Sequence, residues 1–365
     1  MRILHLSNHC YAGNGNVHVA VDLACRQADK GHHLAFASGR GAYVELLRSR
    51  GIDHWDLPHG RIGILRNARA VVRALVLCRR FKPDVIHAHM MAGAIIGAIC
   101  SKVTGAPLVT TVHNSFDGHS TLMRLGDRIV AVSAAERDAL VARGFPSNKL
   151  ETVLNGTRGS LRESALVQEE PIELERPCVL TAAGLHGRKG VDVLVKAFSV
   201  AAASASDWHL YISGDGDERP ALERLAEAGG VGDRIHFLGF RNQPQRLLEQ
   251  TDVFSLASYA DPCSLVLCEA RNAGCAIVAT AVGGTPEILN FGAAGRLVPP
   301  GDVSALAEAL AGLMQDPAAL RQARSDSKRN NGLFSVDRMA ADYEQVYARA
   351  VQRKPFEAPL VRAGN

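Results

Sequence analysis

Two successive series of short β-rich runs, each alternating with amphipathic stretches, constrain the fold of this chain more than any other feature. In the first series, strands are predicted at residues 2–6, 33–38, 84–87, 108–113 and 128–133, with helices such as 17–30, 66–81 and 134–143 between them. In the second, strands are predicted at 178–183, 209–213, 234–238, 253–256 and 276–280, with helices near 191–203, 219–228 and 265–273. Such alternation indicates parallel sheets with helices on both faces. We therefore predict an α/β protein with two Rossmann-like doubly wound domains facing each other across a cleft, where ligands bind beyond the strands' carboxyl ends.

The polar, Glu-rich segment 157–176 interrupts this alternation and marks the domain boundary. We assign an N-terminal domain to residues 1–165 and a C-terminal domain to residues 166–334. A final amphipathic helix at about 335–352 is predicted to pack back on the first domain. A chain of 365 residues is long enough for two domains that each bury a core.

The composition excludes several classes of protein. With 47% hydrophobic and 21% charged residues, the chain is an ordinary globular protein and not a disordered one. No apolar run approaches the roughly 20 residues of a membrane span, and the apolar start is too short for a signal peptide. The eight scattered cysteines form no CxxC pair, which predicts reduced, buried thiols and a cytoplasmic protein. The first 160 residues carry 20 basic against 11 acidic residues and the remainder 21 against 26, so the two domains are expected to meet different partners.

The most informative segment is Asp261-Pro-Cys-Ser-Leu-Val-Leu-Cys-Glu269-Ala270, followed by Gly274 and by Val282-Gly-Gly-Thr-Pro-Glu287. The backbone N–H groups near Ser264 and Leu265 would be free at a helix N-terminus and could bind a phosphate. Two carboxylates beside an anion site are suited to the hydroxyls of a ribose and a sugar. The alternative is a surface acid that caps a helix.

This segment resembles the E-x7-E signature of the retaining GT-B glycosyltransferases, the bacterial group 1 type, whose usual form is close to E-P-F-G-L-V-x-L-E-A. The first acid departs from that form, because Asp261 stands where the family usually has Glu. The resemblance implies that Glu269 binds the ribose of a nucleotide-sugar donor. It also implies that Asp261 and His113 contact the transferred sugar, His113 matching the family's active-site histidine near the anomeric centre.

A second family feature is Gly184-Leu-His-Gly-Arg188-Lys189-Gly190 after the first strand of the second domain. The resemblance places Arg188 and Lys189 on the donor diphosphate, although the family's arginine usually lies earlier, at Gly184 here. Two cations suit a diphosphate leaving group, on which charge builds as the glycosidic bond breaks. Solvated charges are the alternative, disfavoured because a helix N-terminus repels cations. Gly214 and Gly216 resemble the family's G-x-G loop at the donor.

The glycine-rich loop after the first strand is not a dinucleotide fingerprint. The third glycine of G-x-G-x-x-G is replaced by His18, and the second strand ends without a ribose-binding acid, which disfavours a dehydrogenase. The resemblance implies instead that this loop lines the cleft, with Gly13 and Asn14 at the acceptor and Gly15 at the donor phosphate. Two further histidines, His87 and His89, also fit a frequent family pattern and are interpreted as structural.

Residues 61–82 contain seven basic residues and no acid. On a helical wheel Arg66, Arg69, Arg73 and Arg80 fall within about 60° of one another, and we place them opposite Val72, Leu75 and Val76. This stripe suits an anionic membrane surface or a lipid-linked acceptor, and a solvated helix face is the alternative. Nucleic acid is disfavoured, because only 5% of residues are aromatic and no binding motif is present.

These features predict a metal-independent hexosyltransferase that needs no cofactor beyond its substrate, a nucleotide-sugar donor, with UDP-sugar favoured over GDP-sugar. The acceptor is expected to be a bacterial cell-envelope glycan or lipid-linked saccharide, as in lipopolysaccharide or exopolysaccharide synthesis. The expected location is the cytoplasm, with peripheral contact at the inner face of the membrane. Two alternatives stay open, namely a nucleotide-sugar epimerase or hydrolase on the same fold and a non-catalytic nucleotide-sugar-binding subunit.

Overall fold

A computed structural model describes residues 1–57, 64–116, 118–166 and 169–352. The N-terminal sheet contains β1 (Arg2–Leu6), β2 (His33–Ser38), β3 (Asp53–Asp56), β4 (Val85–Ala88), β5 (Leu108–Val112), β6 (Arg128–Ala131) and β7 (Leu150–Thr152). All pairs are parallel, in the order β3-β2-β1-β4-β5-β6-β7. The chain changes direction between β1 and β4, the point at which doubly wound sheets bind ligands.

The helices that alternate with these strands are α1 (Gly15–Asp29), α2 (Val44–Ser49), α3 (Ile64–Phe81), α4 (Met91–Thr104) and α5 (Ala134–Ala142). Local sequence signals fix their ends. The side chain of Asn14 caps α1 by accepting from the Asn16 N–H, and Ser133 caps α5 in the same way. Helix α4 ends at Gly105, whose φ of 80° suits a residue without a Cβ.

The C-terminal sheet repeats the same topology with β8 (Cys178–Ala182), β9 (His209–Ser213), β10 (Ile235–Gly239), β11 (Val253–Leu256), β12 (Ala276–Thr280) and β13 (Arg296–Val298). Its strands are parallel in the order β10-β9-β8-β11-β12-β13. The helices are α6 (Val191–Ala201), α7 (Arg219–Ala228), α8 (Pro244–Leu248), α9 (Leu265–Ala273), α10 (Thr285–Ile288), α11 (Val303–Met314) and α12 (Pro317–Ser327).

The last helix, α13 (Val336–Gln352), packs on the N-terminal domain. Its Met339, Tyr343 and Tyr347 are fully buried in one core cluster with residues of β1, β2 and α1. The amphipathic spacing of its apolar residues supplies the face that this contact buries.

The predicted fold class is confirmed, with two parallel doubly wound sheets. Sequence analysis did not identify the edge strands β3, β7 and β13, which have only three or four residues each. Residues 153–177 connect the last strand of the first sheet to the first strand of the second. The proposed boundary between the two domains, at residues 165 and 166, falls within this segment and stays a prediction. All eight cysteines are free and buried, as predicted. Among the described residues, no helix combines the length and apolar character that a membrane crossing requires.

The predicted orientation of α3 is wrong in part. Val72 and Val76 do not lie opposite the arginines. At about 100° per residue, Val76 falls about 20° and Val72 about 60° from Arg69 around the helix, and the side chains of Val72 and Val76 are 61% and 40% exposed beside the exposed Arg69 and Arg73. The buried face is instead formed by Ala70, Ala74, Leu77 and Cys78. The side chain of Arg66 lies outside the described residues.

Candidate active site

A cavity of about 610 Å³ lies at the carboxyl ends of both sheets, between the two domains. Ten of the residues predicted for the site line it: Gly13, Gly15, His113, Arg188, Lys189, Gly214, Asp261, Ser264, Leu265 and Glu269. Two predicted residues lie outside this lining. Asn14 caps α1, and Gly216 packs against the Leu185 carbonyl, 2.3 Å from where a Cβ would stand.

The glycine-rich loop after β1 lies close to two residues of the C-terminal domain. Gly13 has a φ of 80°, and a Cβ there would stand 2.9 Å from the ring of Phe240 in the C-terminal domain. Gly15 faces Leu265 at the start of α9, 3.5 Å from an added Cβ. A side chain at Gly13 would therefore be strained and would press on Phe240 of the other domain, whereas one at Gly15 would only contact Leu265.

On the C-terminal side, Arg188 and Lys189 form a short 3-10 turn immediately before α6. The guanidinium of Arg188 donates to the Ala260 carbonyl at 2.8 Å and stacks 4.7 Å from the ring centre of Phe116, which belongs to the N-terminal domain. Burial, together with Arg188 and Lys189, lowers the pKa of the neighbouring His186. The cavity wall is therefore electropositive at this turn.

Asp261 is 6% exposed, and its carboxylate accepts from the Lys189 ammonium at 2.7 Å. The Val282-Gly-Gly segment passes directly behind it. A Cβ on Gly283 would stand 2.0 Å from the Asp261 carbonyl oxygen, and the Gly284 N–H donates to that oxygen at 3.2 Å. The paired glycines of the sequence motif therefore fix the backbone that carries Asp261.

Helix α9 begins in the cavity, where Ser264 caps it by accepting from the Leu267 N–H. Glu269, one turn further, is 8% exposed and lies 3.3 Å from the guanidinium of Arg162. Arg162 also donates to Asp22 of α1 at 2.8 Å, so one buried arginine joins carboxylates from both domains. Burial lowers the pKa of Arg162, but the two carboxylates outweigh it and the net shift is upward.

On the N-terminal side, His113 follows β5 and lines the cavity. Burial lowers its pKa to about 3, so the ring is neutral at pH 7. Its Nε2 lies 3.4 Å from Nδ1 of the buried His89. A neutral imidazole offers one hydrogen-bond donor and one acceptor, which suits sugar hydroxyls better than phosphates.

Several cavity residues were missed by sequence analysis. Besides Arg162 and Phe116, the described lining includes three buried polar atoms that no described group bonds: Oδ1 of Asn155, Nε of Arg241 and Oε1 of Gln245. Buried polar atoms of this kind usually have a partner, so the cavity is suited to a polar ligand. No sequence pattern marks these positions.

Glu287, the last residue of the downstream motif, lies outside the cavity lining and joins the two domains. Its two carboxylate oxygens accept from the Ala134 and Ala135 N–H groups of α5 at 2.9 and 2.8 Å. A carboxylate of one domain therefore caps a helix of the other.

Two facing doubly wound domains with a ligand cleft at the strands' carboxyl ends define the GT-B architecture. Residues 13–158 match the family model described as Glycosyltransferase Family 4, and residues 176–316 match the model described as Glycosyl transferases group 1. By family and by fold, this chain belongs to the GT-B glycosyltransferases.

Curated relatives and solved structures agree with that assignment. The chain is 27% identical over 326 residues to a glycogen synthase of Mycobacterium tuberculosis, a match covering 82% of this chain and 77% of the relative. It is 26% identical to the D-inositol 3-phosphate glycosyltransferase of Xylanimonas cellulosilytica, with 84% and 80% covered. The Anabaena protein HepE in complex with UDP and glucose has a similar fold, with a TM-score of 0.78, 22% identity, and 95% and 99% of the two chains covered.

Proposed function

We propose that this protein transfers a sugar, with retention of anomeric configuration, from a nucleoside diphosphate sugar to an acceptor in the cleft. The observation that carries the proposal is the grouping in one cavity of two cations, two carboxylates and a neutral imidazole from both domains. Each group suits one part of a nucleoside diphosphate sugar. The cations would stabilise charge on the diphosphate leaving group, the carboxylates would accept hydrogen bonds from hydroxyls, and the neutral imidazole would contact the sugar.

The diphosphate would lie against the Arg188–Lys189 turn and the start of α9. Arg188 is preorganised by the Ala260 carbonyl and the Phe116 ring, so little motion is needed when charge develops on the leaving group. Lys189 is held by Asp261 in the structure. Phosphate oxygens would share or replace that contact, while the N–H groups near Ser264 and Leu265 donate to the same anion.

The hydroxyls of the donor would meet the carboxylates. Glu269 would bind the ribose, and its contact with the guanidinium of Arg162 would orient it. Asp261 and His113, one from each domain, would contact the transferred sugar. The shorter arm of Asp261, where the family has Glu, would place that sugar nearer to the Lys189 turn.

UDP is the nucleotide we propose for the donor, because HepE, the structural relative covering 95% of this chain, was solved with UDP and with UDP-glucose. A thermal-shift screen of UDP-, GDP-, ADP- and dTDP-sugars tests this choice. A ligand at 100 times its dissociation constant adds about 2.7 kcal/mol to the free energy of unfolding. Stabilisation by UDP-sugars alone supports the proposal, and stabilisation by another nucleotide alone refutes the base assignment.

For the acceptor, we propose a cell-envelope glycan or lipid-linked saccharide presented at an anionic membrane. The support is a surface on α3 and α4, called here the basic–apolar surface. It combines exposed arginines with exposed aliphatic side chains: Arg69, Arg73, Arg80, Val72, Val76, Ile95, Ile99 and Val103. Exposed apolar groups with flanking arginines suit the headgroup region of an anionic bilayer.

Turnover assays distinguish transfer from the alternatives. Donor consumption that requires membrane extract, with product in the donor's anomeric configuration by NMR, supports a retaining transferase. Consumption at the same rate without extract indicates an epimerase or hydrolase. Donor binding without consumption under either condition indicates a non-catalytic binding subunit.

A further inference from the structure

Behind His113, three buried imidazoles line up at the carboxyl ends of β1 and β4. His5 pairs with His87 across these strands, and His89 follows one residue after β4. All three are at most 2% exposed. Burial lowers the pKa of His5 to about 4 and those of His87 and His89 well below the ordinary value. Each ring is therefore neutral at pH 7, with one N–H donor and one bare nitrogen.

The side-chain amide of Gln27, in α1, determines which nitrogen of each ring in this chain carries the proton. Its side-chain nitrogen donates to the Tyr347 hydroxyl at 3.2 Å, so its oxygen is the atom 2.9 Å from Nε2 of His5. In this orientation of the Gln27 amide, His5 carries its proton on Nε2. The Tyr347 hydroxyl, having accepted from Gln27, donates to Nδ1 of His87 at 2.8 Å, which agrees with the same order.

The order set by Gln27 continues to the cavity. With Nδ1 of His5 bare, the 2.9 Å contact to His89 requires a proton on Nε2 of His89. The bare Nδ1 of His89 then accepts from Nε2 of His113 at 3.4 Å. Successive ring centres lie 5.2 and 5.6 Å apart at interplanar angles of 16° and 24°, so the rings meet edge to edge and nearly in one plane. This is the geometry of in-plane N–H···N bonds.

We propose that His89 is a positioning residue that holds His113 in its Nε2–H tautomer, so that the bare Nδ1 faces the cleft as a hydrogen-bond acceptor for a hydroxyl of the transferred sugar. The inference rests on the proposed function for the identity of that sugar. It extends that function by naming the ring nitrogen that meets the substrate and the chain of groups, Gln27–His5–His89, that selects it.

A metal centre is the competing interpretation of the same cluster. One ligating nitrogen from each of His5, His87 and His89 lies within 4.8 Å of the others. Both nitrogens of His5 are already hydrogen-bonded, to His89 and Gln27. Both nitrogens of His87 are likewise bonded, to Tyr347 and Thr111. A metal ion would have to break these bonds in a fully buried place, so the hydrogen-bonded chain accounts for the geometry better.

The test is the tautomer of His113 in the full-length protein labelled with ¹⁵N-histidine. Long-range ¹H–¹⁵N spectra distinguish a protonated from a bare ring nitrogen, and His113→Asn assigns the signals. We expect Nε2–H in the wild type. His89→Phe keeps the buried ring but removes both nitrogens, so both tautomers of His113 should be populated. Gln27→Met acts two rings away and should have the same effect if the chain sets the tautomer.

Two further variants separate positioning from folding. His89→Gln keeps a donor toward His5 and an acceptor toward His113, so it should restore the wild-type tautomer. Tyr343→Phe removes a neighbouring buried hydrogen bond, to Thr111, and is the matched control that should leave His113 unchanged. In turnover assays, His89→Phe should lower kcat roughly tenfold and leave the KM for the donor unchanged. Residues that orient a metal-bound histidine typically contribute about 10–100-fold to activity, and we expect the lower end of that range here.

The outcomes separate this inference from the proposed function. An Nδ1–H tautomer in the wild type, or an Nε2–H tautomer that persists in both His89→Phe and Gln27→Met, overturns the role of the chain even if transfer is observed. Stoichiometric metal that co-purifies with the histidine cluster overturns it as well. A wild-type protein with the expected tautomer but no turnover of any nucleotide sugar would instead refute the proposed function.

Discussion

The two sides of the cleft differ in how they use charge. On the N-terminal side the groups behind the cavity are neutral imidazoles, ordered by hydrogen bonds from His113 back to Gln27. On the C-terminal side the cavity is lined by charged carboxylates with cationic partners, Asp261 with Lys189 and Glu269 with Arg162, which also bonds Asp22 across the domain boundary. Neutral rings can order sugar hydroxyls without attracting free phosphate, whereas charged pairs can rearrange when an anionic ligand arrives.

The difference predicts which substitutions affect folding and which affect chemistry. Removing Arg162 takes an ion-pair partner from both Asp22 and Glu269, whose exposures are only 3% and 8%. We expect Arg162→Met to lower the free energy of unfolding by about 3–5 kcal/mol, the cost of breaking a buried pair from one side. Urea denaturation measures it.

Arg162→Met has two controls, one at a separate ion pair and one at its own partner Asp22. Arg349→Met removes a partly exposed pair with Glu151 and should cost at most about 1 kcal/mol. Adding Asp22→Asn to Arg162→Met removes one stranded charge and should recover part of the loss. Equal stability of Arg162→Met and Arg349→Met would mean that the interdomain triad contributes nothing beyond a surface pair.

Lys189 should show a different balance, a larger effect on turnover than on folding. Loss of a preorganised group that stabilises developing charge typically costs about 10²–10³-fold in kcat. We expect Lys189→Ala to lose that much turnover of the nucleotide-sugar donor, with a smaller loss of stability than Arg162→Met, because it takes a partner from one carboxylate, Asp261, and not from two. Lys196→Ala is the matched control, since Lys196 pairs with Asp192 one turn away on the exposed face of α6. Similar rates for the two variants would assign Lys189 to the solvated surface.

Sequence patterns identified the charged side of the cleft far better than the links between domains. Asp261 and Glu269 belong to one short segment, so spacing alone brings them to one helix start. Arg162 lies in the polar segment that interrupts the strand–helix alternation, and its partners Asp22 and Glu269 are 140 and 107 residues away in the chain. Contacts of this kind follow from how domains pack, which no local pattern encodes.

The orientation of α3 was missed for a different reason. The helix was predicted from its periodicity, but at about 100° per residue Val76 falls about 20° from Arg69, so the sequence itself places it beside the arginines and not opposite them. Whether Val72 and Val76 are buried depends on which neighbours cover them, and α4 leaves them open. His87 and His89 were interpreted as structural, and both are buried, but no sequence pattern reveals the contact of His89 with His113.

The neutral side of the cleft predicts sensitivity to acid. The folded pKa of His5 is about 4, below the 6.5 of an exposed histidine, so the unfolded chain binds more protons between these values. The contribution of His5 to the free energy of unfolding should therefore be fully present above about pH 6.5 and decrease as the pH drops toward 4. The decrease from His5 alone approaches roughly 3 kcal/mol, since one pKa unit corresponds to about 1.4 kcal/mol.

Urea denaturation at pH 7.5 and pH 5 measures this acid sensitivity. The loss between the two pH values should be smaller in His5→Phe, by about 2 kcal/mol for the titration of one buried imidazole over that interval. The exposed His33, at the start of β2, provides the control, and His33→Gln should keep the full wild-type difference. If His5→Phe shows the same acid loss as the wild type, the buried imidazoles are not its source.

The smallest expected effect per substituted residue concerns the basic–apolar surface, where the charges are exposed and not paired across the cleft. Each basic residue near an anionic membrane contributes about 1 kcal/mol. Changing Arg69, Arg73 and Arg80 together to Glu should therefore release the protein from anionic vesicles in co-sedimentation, without changing donor binding in the cleft. Wild-type binding should weaken from 0.01 M to 0.1 M salt, because the Debye length falls from about 30 to about 10 Å.

A matched variant separates this surface from net charge. Changing the exposed Arg224, Arg321 and Lys328 of the C-terminal domain to Glu alters the total charge equally but leaves α3 intact, so it should still sediment. Changing Ile95 and Ile99 to Ser should weaken binding in a way that added salt does not reproduce, because it removes the apolar part of the contact. Equal sedimentation of the two charge-reversed proteins would reduce the contact to non-specific attraction. Absence of wild-type binding at low salt would make a soluble acceptor the better proposal.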